Sequence, residues 1–312
     1  MNNYRLIING IELAIFGGLS WSDDDDGLST LLQFTSLINL SVGNQFTLLN
    51  SNNIIMNGII TDKSYDKYLI YQYTCADLGF YLNKNSVVIQ FNGILAKQAI
   101  TQLLNKYNLP VGNIPDVPVM IKNIYKNVIL SDVLKDIIYN MQKKTGNFYN
   151  IRVNNGLVNI VQSEEIDVTA YYDNSGFLIN LTDAVSNFEA VDSIQDMKNS
   201  VLVVSSGNKI LAQAQDNNSI ATFGLLQHIE EPDQDKNTSN YNIANNLLKD
   251  LNQIKQTKSV DMLGTDAVMS GVVLNFNYPE LNFVAKYYVK HVDHTIDGVI
   301  HKIKCDLEVY DD

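Results

Sequence analysis

Short runs of apolar residues that alternate with polar ones fill the first eighty positions of the chain. Strands are predicted at Tyr4–Ile8, Ile11–Ile15, Ser29–Thr35, Gln45–Leu49, Asn53–Thr61 and Tyr68–Cys75. Turn residues separate these runs, and Asn9-Gly10 between the first two is a strong hairpin signal. Six short strands in succession predict a sandwich or a small barrel.

The periodicity becomes helical in the middle of the chain. Apolar residues at helical spacing predict one helix over 94–107, and a second helix follows the N-cap candidate Ser131. Gly146 supplies the left-handed residue that ends this second helix. Two apolar runs around Asn154-Asn155-Gly156 predict a hairpin, so the block 83–163 is interpreted as mixed α and β.

Strand patterns return after this block, with one helical interruption. The predicted strands are Ser200–Ser205, Lys209–Gln215, Ser259–Leu263, Val272–Phe276, Phe283–Val292 and Val299–Val309, and the helix is Asn240–Ile254. We therefore predict a mainly β fold with α/β insertions and three domains. These are a β domain over 1–82, an α/β domain over 83–163 and a second β domain over 164–312, with a helical insertion around 216–256.

Composition narrows the class of protein. The chain of 312 residues is 46% hydrophobic, an apolar fraction typical of a folded globular protein, and only 18% charged. Its net charge of -12 argues against a nucleic-acid binder, which needs a concentrated basic surface. No apolar stretch is long enough for a membrane span or a secretory signal, so a soluble protein made in the cytosol is expected. Cys75 and Cys305 are predicted to be buried thiols rather than a disulfide framework.

Acidic clusters are the most conspicuous polar features. The run Asp23–Asp26 lacks the distant Glu of a calcium loop and is interpreted as an exposed acidic turn between two strands. Glu164-Glu165 and Glu230-Glu231 could each supply a glycosidase carboxylate. Adjacent acidic pairs in turns are common on protein surfaces, so we interpret both pairs as surface features.

Three of the four histidines lie in the C-terminal hairpin. If Asp297-Gly298 is a two-residue turn, His294 pairs directly across from His301, and two facing imidazoles could bind zinc. His291 lies three residues before His294 on a strand and therefore points to the opposite face. A three-histidine zinc site fails on this alternation, and ordinary strand histidines are the preferred interpretation.

Motifs of nucleophilic hydrolases, phosphate-binding loops and dinucleotide-binding loops are absent from the sequence. We therefore expect no catalytic residues, no cofactor and no metal. A binding or assembly role is favoured by elimination.

Several segments, in order along the chain, resemble the XkdQ/YqbQ-type baseplate hub proteins of contractile phage tails and phage-derived tail-like particles. They are LLQFT at 31–35, VGNQFTL at 42–48, IMNGII at 55–60, YTCADLGFYLNK at 73–84, SIQDMKNSV at 193–201, SIATFGLLQ at 219–227 and the closing histidine-containing hairpin. Asn44 departs from the family, which more often has Asp at that position. Together the segments cover most of the chain.

The resemblance implies a structural role in a tail baseplate. Hub proteins of this kind form homotrimers in which each subunit supplies two tube-like β-barrel domains. Six barrels then make a pseudo-hexameric ring between the six-fold tail tube and the three-fold spike. The implied partners are tube or tube-initiator proteins, the central spike protein and other baseplate proteins, with neither nucleic-acid recognition nor membrane insertion by the chain itself.

The same resemblance implies assembly in the bacterial cytoplasm and a place in the baseplate of the released particle, either a phage or a tail-like bacteriocin. An acidic chain would suit the non-sticking wall of a ring lumen, and neutral lumen residues would remove the support for this hypothesis. The alternative function is a tail-associated cell-wall hydrolase or a carbohydrate-binding β protein. A carboxylate pair lining a cleft would favour that alternative.

Overall fold

The computed structural model describes residues 3–15, 17–25, 27–168, 185–205, 207, 209–231, 239–278, 283–298 and 300–310. Strands make up most of its regular secondary structure, which confirms the mainly β class. The chain divides into two compact units, one formed by 1–188 with 259–312 and the other by 189–258. The predicted three-domain division stays a prediction.

Seven strands form the N-terminal part of the first unit. They are β1 (Tyr4–Ile8), β2 (Ile11–Leu13), β3 (Leu19–Asp24), β4 (Leu31–Ser36), β5 (Gln45–Asn50), β6 (Asn53–Tyr65) and β7 (Tyr71–Asp77). All their pairings are antiparallel, and alternate side chains enter one core that includes Leu6, Trp21 and Phe46.

The middle block is the predicted mixture of helices and strands. Its elements are α1 (Gly79–Lys84), β8 (Ser86–Leu95), α2 (Ala96–Lys106), β9 (Met120–Ile129), α3 (Leu130–Thr145), β10 (Tyr149–Asn154) and β11 (Leu157–Gln162). The apolar stripes of α2 and α3 pack against one face of the antiparallel β8–β9 ladder and share one core with it. The left-handed Gly146, with φ 75°, ends α3 as predicted.

The rest of the chain alternates between the two units. Its elements are β12 (Glu165–Asp167), β13 (Val185–Ser193), β14 (Ser200–Val204), β15 (Ile210–Gln215), α4 (Asn217–Phe223), β16 (Gln227–Glu230), α5 (Asn240–Leu251), β17 (Lys255–Leu263), β18 (Val273–Tyr278), β19 (Phe283–Asp297) and β20 (Ile300–Val309). The unit 189–258 contains the sheet β15-β14-β16 and α5. Its buried cluster of Val201, Val203, Ala214 and Ala244 is small.

The largest sheet joins strands from both ends of the chain. Its pairing order is β13-β17-β20-β19-β3-β4-β7-β6-β5-β1-β2, and β18 pairs with β19 and β12. This order is open, since β13 and β2 each have one neighbour among the described strands. The closed barrels implied by the resemblance therefore remain a proposal.

Several local predictions were wrong. The sequence patterns missed β3, β8 and β9, and Ser131 is not the N-cap of α3. The N-cap is Ile129, two residues earlier than predicted, and Ser131 is buried in the first turn of the helix. The predicted helical insertion also contains the strand β16 between α4 and α5.

Candidate functional site: a sheet shared by the two ends of the chain

The pairing of β3 with β19 joins the N-terminal and C-terminal strands into one sheet. Six consecutive strands, β20-β19-β3-β4-β7-β6, pair antiparallel, with register shifts only at Val289/His291 in β19 and Ile60/Asp62 in β6. Because side chains alternate across a sheet, this register places whole rows of residues on one face or the other.

One face of the six strands is polar, and we call it the polar front. Its central row runs across the strands as Lys302, Thr295, Ser20, Gln33, Thr74 and Asp62. The next row begins with Lys304, Asp293 and Ser22. These side chains are exposed or half-buried. They line two adjoining depressions of about 740 and 670 Å³, and Asp261 contributes to the larger one.

The polar front carries both signs of charge. The lining includes the three lysines Lys63, Lys302 and Lys304 and the three aspartates Asp62, Asp261 and Asp293, with hydroxyl and amide groups between them. The hypothesis of an acidic lumen wall therefore gains no support from this face. Such a surface presents neither a large apolar patch nor a strong field of one sign.

The opposite face is the buried back of the same six strands. Its central row is Ile303, His294, Trp21, Leu32, Cys75 and Ile60, and every one of these side chains is buried. Rows of this kind explain why β3 and β19 pair, since the pairing closes one continuous apolar surface.

Two histidines meet in this buried back. His294 Nδ1 lies 2.9 Å from His301 Nε2, and the His294 ring stacks on Trp21 at 4.6 Å between centroids. His301 Nδ1 lies 2.9 Å from the Tyr4 hydroxyl, which donates to Asp266 Oδ1 at 2.6 Å. The two imidazoles therefore belong to one hydrogen-bonded chain that ties β1, β19 and β20 to the loop at Asp266.

Burial keeps both imidazoles neutral. It lowers the pKa of His294 to about 3, and the neighbouring His301 acts in the same direction. Burial also lowers the pKa of His301 to about 4, although the Asp266 carboxylate partly opposes this shift. The two nitrogens that a shared ligand would need, His294 Nδ1 and His301 Nε2, are hydrogen-bonded to each other, and both rings are buried as part of the core.

The predicted register of the hairpin was wrong by two residues. Asp297 pairs with Ile300, so the turn begins at Gly298 instead of Asp297, and His294 lies opposite Ile303. A shift of two keeps every side chain on its own face. The two histidines therefore still meet, diagonally instead of directly.

His291 points away from this pair, as alternation predicts. Its ring nitrogens lie 3.2 Å from Asp24 Oδ2 and 3.2 Å from Asp293 Oδ1. Within the described part of the chain, no group of three or more His, Cys, Asp or Glu side chains is arranged to hold a metal ion.

The acidic run is only in part the exposed turn that was predicted: Asp25 lies in the turn between β3 and β4, but Asp23 and Asp24 belong to β3. Asp23 is buried in β3, where its Oδ2 accepts hydrogen bonds from Ser270 N at 2.9 Å and Ser270 Oγ at 3.0 Å. Arg152 Nη1 of β10 lies 3.6 Å from the same oxygen. Asp23 thus connects the N-terminal sheet with the middle block and with the loop before β18, and Asp26 lies outside the described residues.

A second buried carboxylate lies beside this junction. Asp77 accepts hydrogen bonds from Gly79 N at 2.8 Å and Ser29 Oγ at 3.1 Å. Burial raises the pKa of Asp77 to about 7, against the effect of these donors, and the charge of Asp23 contributes in the same direction as burial. No motif in the sequence marked either carboxylate as buried.

The remaining candidate residues have structural surroundings. Cys75 and Cys305 are buried and unbridged, as predicted, and burial raises the pKa of Cys75 to about 12 and that of Cys305 further. Glu165 and Glu230 lie on strands instead of the predicted turns. Glu165 contacts Lys286 at 3.0 Å, and Glu230 contacts His228 at 3.1 Å.

None of the helices in the described ranges combines the length and the apolar character that crossing a bilayer requires.

Comparison with known proteins gives the family. The YQBQ-like family matches residues 19–308, and the chain belongs to this family. It is 23% identical over 267 residues to the uncharacterized protein YqbQ of Bacillus subtilis, covering 81% of this chain and 77% of that protein. It is 22% identical over 260 residues to the phage-like element PBSX protein XkdQ of the same organism, with the same coverage.

Solved structures share the fold. A tail protein from Neisseria meningitidis MC58 superposes with a TM-score of 0.65 at 14% identity, covering 98% of this chain and 96% of that one. The 43 kDa tail protein of prophage MuSo2 from Shewanella oneidensis gives 0.67 at 11% identity, covering 99% and 98%. The c3393 protein of E. coli, a type VI secretion component described as similar to the T4 tail proteins gp27 and gp5, gives 0.51 at 8% identity, covering 98% and 77%.

Proposed function

We propose that the chain is a structural baseplate hub of a contractile phage tail or a tail-like bacteriocin. In this proposal three copies form a pseudo-hexameric ring that joins the six-fold inner tube to the three-fold spike. The observation that carries the proposal is the sheet in which β3 and β19 unite strands from both ends of the chain. Each copy thereby contributes two β modules to one wall.

The polar front is the surface of this wall that we assign to the ring lumen. A lumen that passes nucleic acid must not retain it, and phosphate is retained by concentrated positive charge. The lysines of the front stand among aspartates, hydroxyls and amides, which leaves no basic stripe. The family membership and the tail proteins that share this fold support the baseplate role, not the choice of this face.

The proposal includes partners and a location. Tube or tube-initiator proteins would contact one rim of the ring and the central spike protein the other, with further baseplate proteins outside. Assembly would take place in the bacterial cytoplasm, and the ring would remain in the baseplate of the released particle.

Solution mass tests the proposal directly. Light scattering on a sizing column should give about 105 kDa, three times the 35.0 kDa of one chain, for the protein alone, and a larger mass when the spike protein binds. A chain that stays at 35.0 kDa with tube, spike and neighbouring baseplate proteins would overturn the hub ring.

A cell-wall hydrolase is the competing function, because Asp261 and Asp293 both line the larger depression of the polar front. Lysines share that open surface with them, and we expect no lysis of purified peptidoglycan. Lysis that disappears in both Asp261→Asn and Asp293→Asn would favour the hydrolase.

A further inference from the structure

The charge of the chain is divided unevenly along its length. Residues 83–163 contain nine Lys and Arg against three Asp and Glu, a net charge of +6. The segments on either side carry net charges of -5 and -13. The α/β block is therefore basic in an otherwise acidic protein.

The β8–β9 ladder presents this basic character on an open face, which we call the ladder face. Helices α2 and α3 pack on the other side of the ladder. Across the ladder face, Val88 pairs with Lys126 and Asn92 with Lys122. Ile124 lies between the two lysines and is 54% exposed, and both lysines are exposed.

One more lysine lies beside β8. Lys106 Nζ, at the end of α2, donates to the Val88 carbonyl at 2.7 Å. An uncovered strand pair with apolar residues at its centre and cations around them fits a partner with the opposite charge and its own apolar residues.

Symmetry indicates where such a partner lies. A ring of three copies is built from heterologous contacts, in which one surface of a copy meets a different surface of the next copy. Identical chains with a net charge of -12 repel one another unless a basic surface meets an acidic one. The α/β block is the part of the sequence with net positive charge, so a ring contact through it offsets this repulsion.

Strand β13 has the matching chemistry. Glu189 and Val191 lie two residues apart and therefore on the same face of it; both are exposed, Val191 to 47%. Among the described strands β13 also ends the sheet order, and an exposed edge strand with apolar residues is a site for further association.

We propose that the ladder face of one copy packs against β13 of the next copy, with Lys122, Ile124 and Lys126 opposite Glu189 and Val191. This inference rests on the homotrimer of the proposed function and names the surfaces that form it. Its occupant is a second copy of this chain.

Charge reversal tests the inference on the full-length protein. The variant Lys122→Glu with Lys126→Glu should raise the dissociation constant of the trimer about tenfold or more at low salt, because like charges then face each other. The matched control, Lys97→Glu with Lys144→Glu, makes the same charge change on exposed positions of α2 and α3 and should leave the trimer intact. Adding Glu189→Lys to the ladder variant should recover part of the lost assembly, whereas adding Asp192→Lys, on the opposite face of β13, should not.

Sedimentation equilibrium from low to high salt, with circular dichroism as a folding check, gives the readout. If the wild type is a trimer and the ladder variant behaves like its control, the inference is wrong and the hub survives. If the ladder variant stays trimeric but loses the tube protein, the occupant is that partner and the inference is also wrong. A wild type that is monomeric throughout overturns the trimer itself, and the inference with it.

Discussion

The buried back and the polar front of the central sheet are built from neighbouring residues under different constraints. On β3, Trp21 is 5% exposed and contacts three other rings, whereas Ser20 and Ser22 on either side of it face the depression of the polar front. Packing in the buried back determines which strands pair. The side chains of the polar front are not constrained by this packing and are available to form a functional surface. One strand thus carries the fold on one side and, in our proposal, the function on the other.

The largest expected difference between the two faces comes from Trp21→Ala. Removing a buried aromatic that stacks on His294 should lower the free energy of unfolding by about 3–5 kcal/mol. Ser20→Ala, one residue away on the polar front, should change it by about 0.5 kcal/mol or less. Urea unfolding of both variants measures the comparison, and equal midpoints would show that the back is not a packed core.

Acid should lower the free energy of unfolding through the two histidines of the buried back. Their folded pKa values of about 3 and about 4 lie below the ordinary 6.5, so the unfolded chain takes up protons first. Their contribution is therefore complete above pH 6.5 and falls as the pH decreases toward 4, by about 2 kcal/mol for each histidine at pH 5.

Asp77 has the opposite effect on the pH dependence of stability. Because its pKa is raised, its contribution to the free energy of unfolding falls as the pH rises from about 4 to 7. The measurement is therefore the difference in pH dependence between wild type and His301→Gln, which removes one of the two histidines. Wild type should lose more stability than this variant between pH 7 and pH 5. Parallel curves would contradict the buried, neutral pair.

A loss of stability smaller than that of Trp21→Ala is expected at the edge of the buried back, where Asp23 contacts Ser270 and Arg152. Asp23→Asn keeps an acceptor oxygen but removes the charge, and should cost about 1.5–3 kcal/mol. Asp25→Asn is the control, since Asp25 is half-buried and contacts Lys290 at 3.4 Å near the surface. Thermal unfolding of the two variants compares them, and an equal shift would restore the exposed-turn interpretation of the acidic run.

The smallest effect is expected on the polar front. Thr295→Ala and Lys302→Gln change exposed side chains of its central row and should alter the stability by about 0.5 kcal/mol or less. Calorimetry of each variant checks this. A loss of several kcal/mol would show that the front is part of the folding core instead of a free surface.

The sequence patterns located individual strands and helices better than they predicted which strands pair with each other. β1 was predicted with its observed bounds and α3 with its observed end, because an alternating run or an apolar stripe is a local signal. β3 was missed because its third inward position is Asp23, and a carboxylate in a buried position hides the alternation. β9 was missed because it exposes Met120 and Ile124, so its apolar residues do not keep to one face.

In the candidate site, too, local patterns predicted some features and missed those that depend on contacts between distant residues. Alternation alone placed His291 and His294 on opposite faces, and this holds whatever the register of the hairpin. The pairing of β3 with β19, the burial of Asp23 against Ser270 and the contact of His301 with Tyr4 join residues from opposite ends of the chain. No local pattern encodes such contacts.

The sequence by itself therefore determined the mainly β class, the helices of the middle block and the burial of the two cysteines. The tertiary structure decided which strands are neighbours and which polar residues are buried. The physical reason is that alternation has a period of two residues and fixes only the face of a side chain. The choice of partner depends on how apolar rows from distant strands fit together in one core.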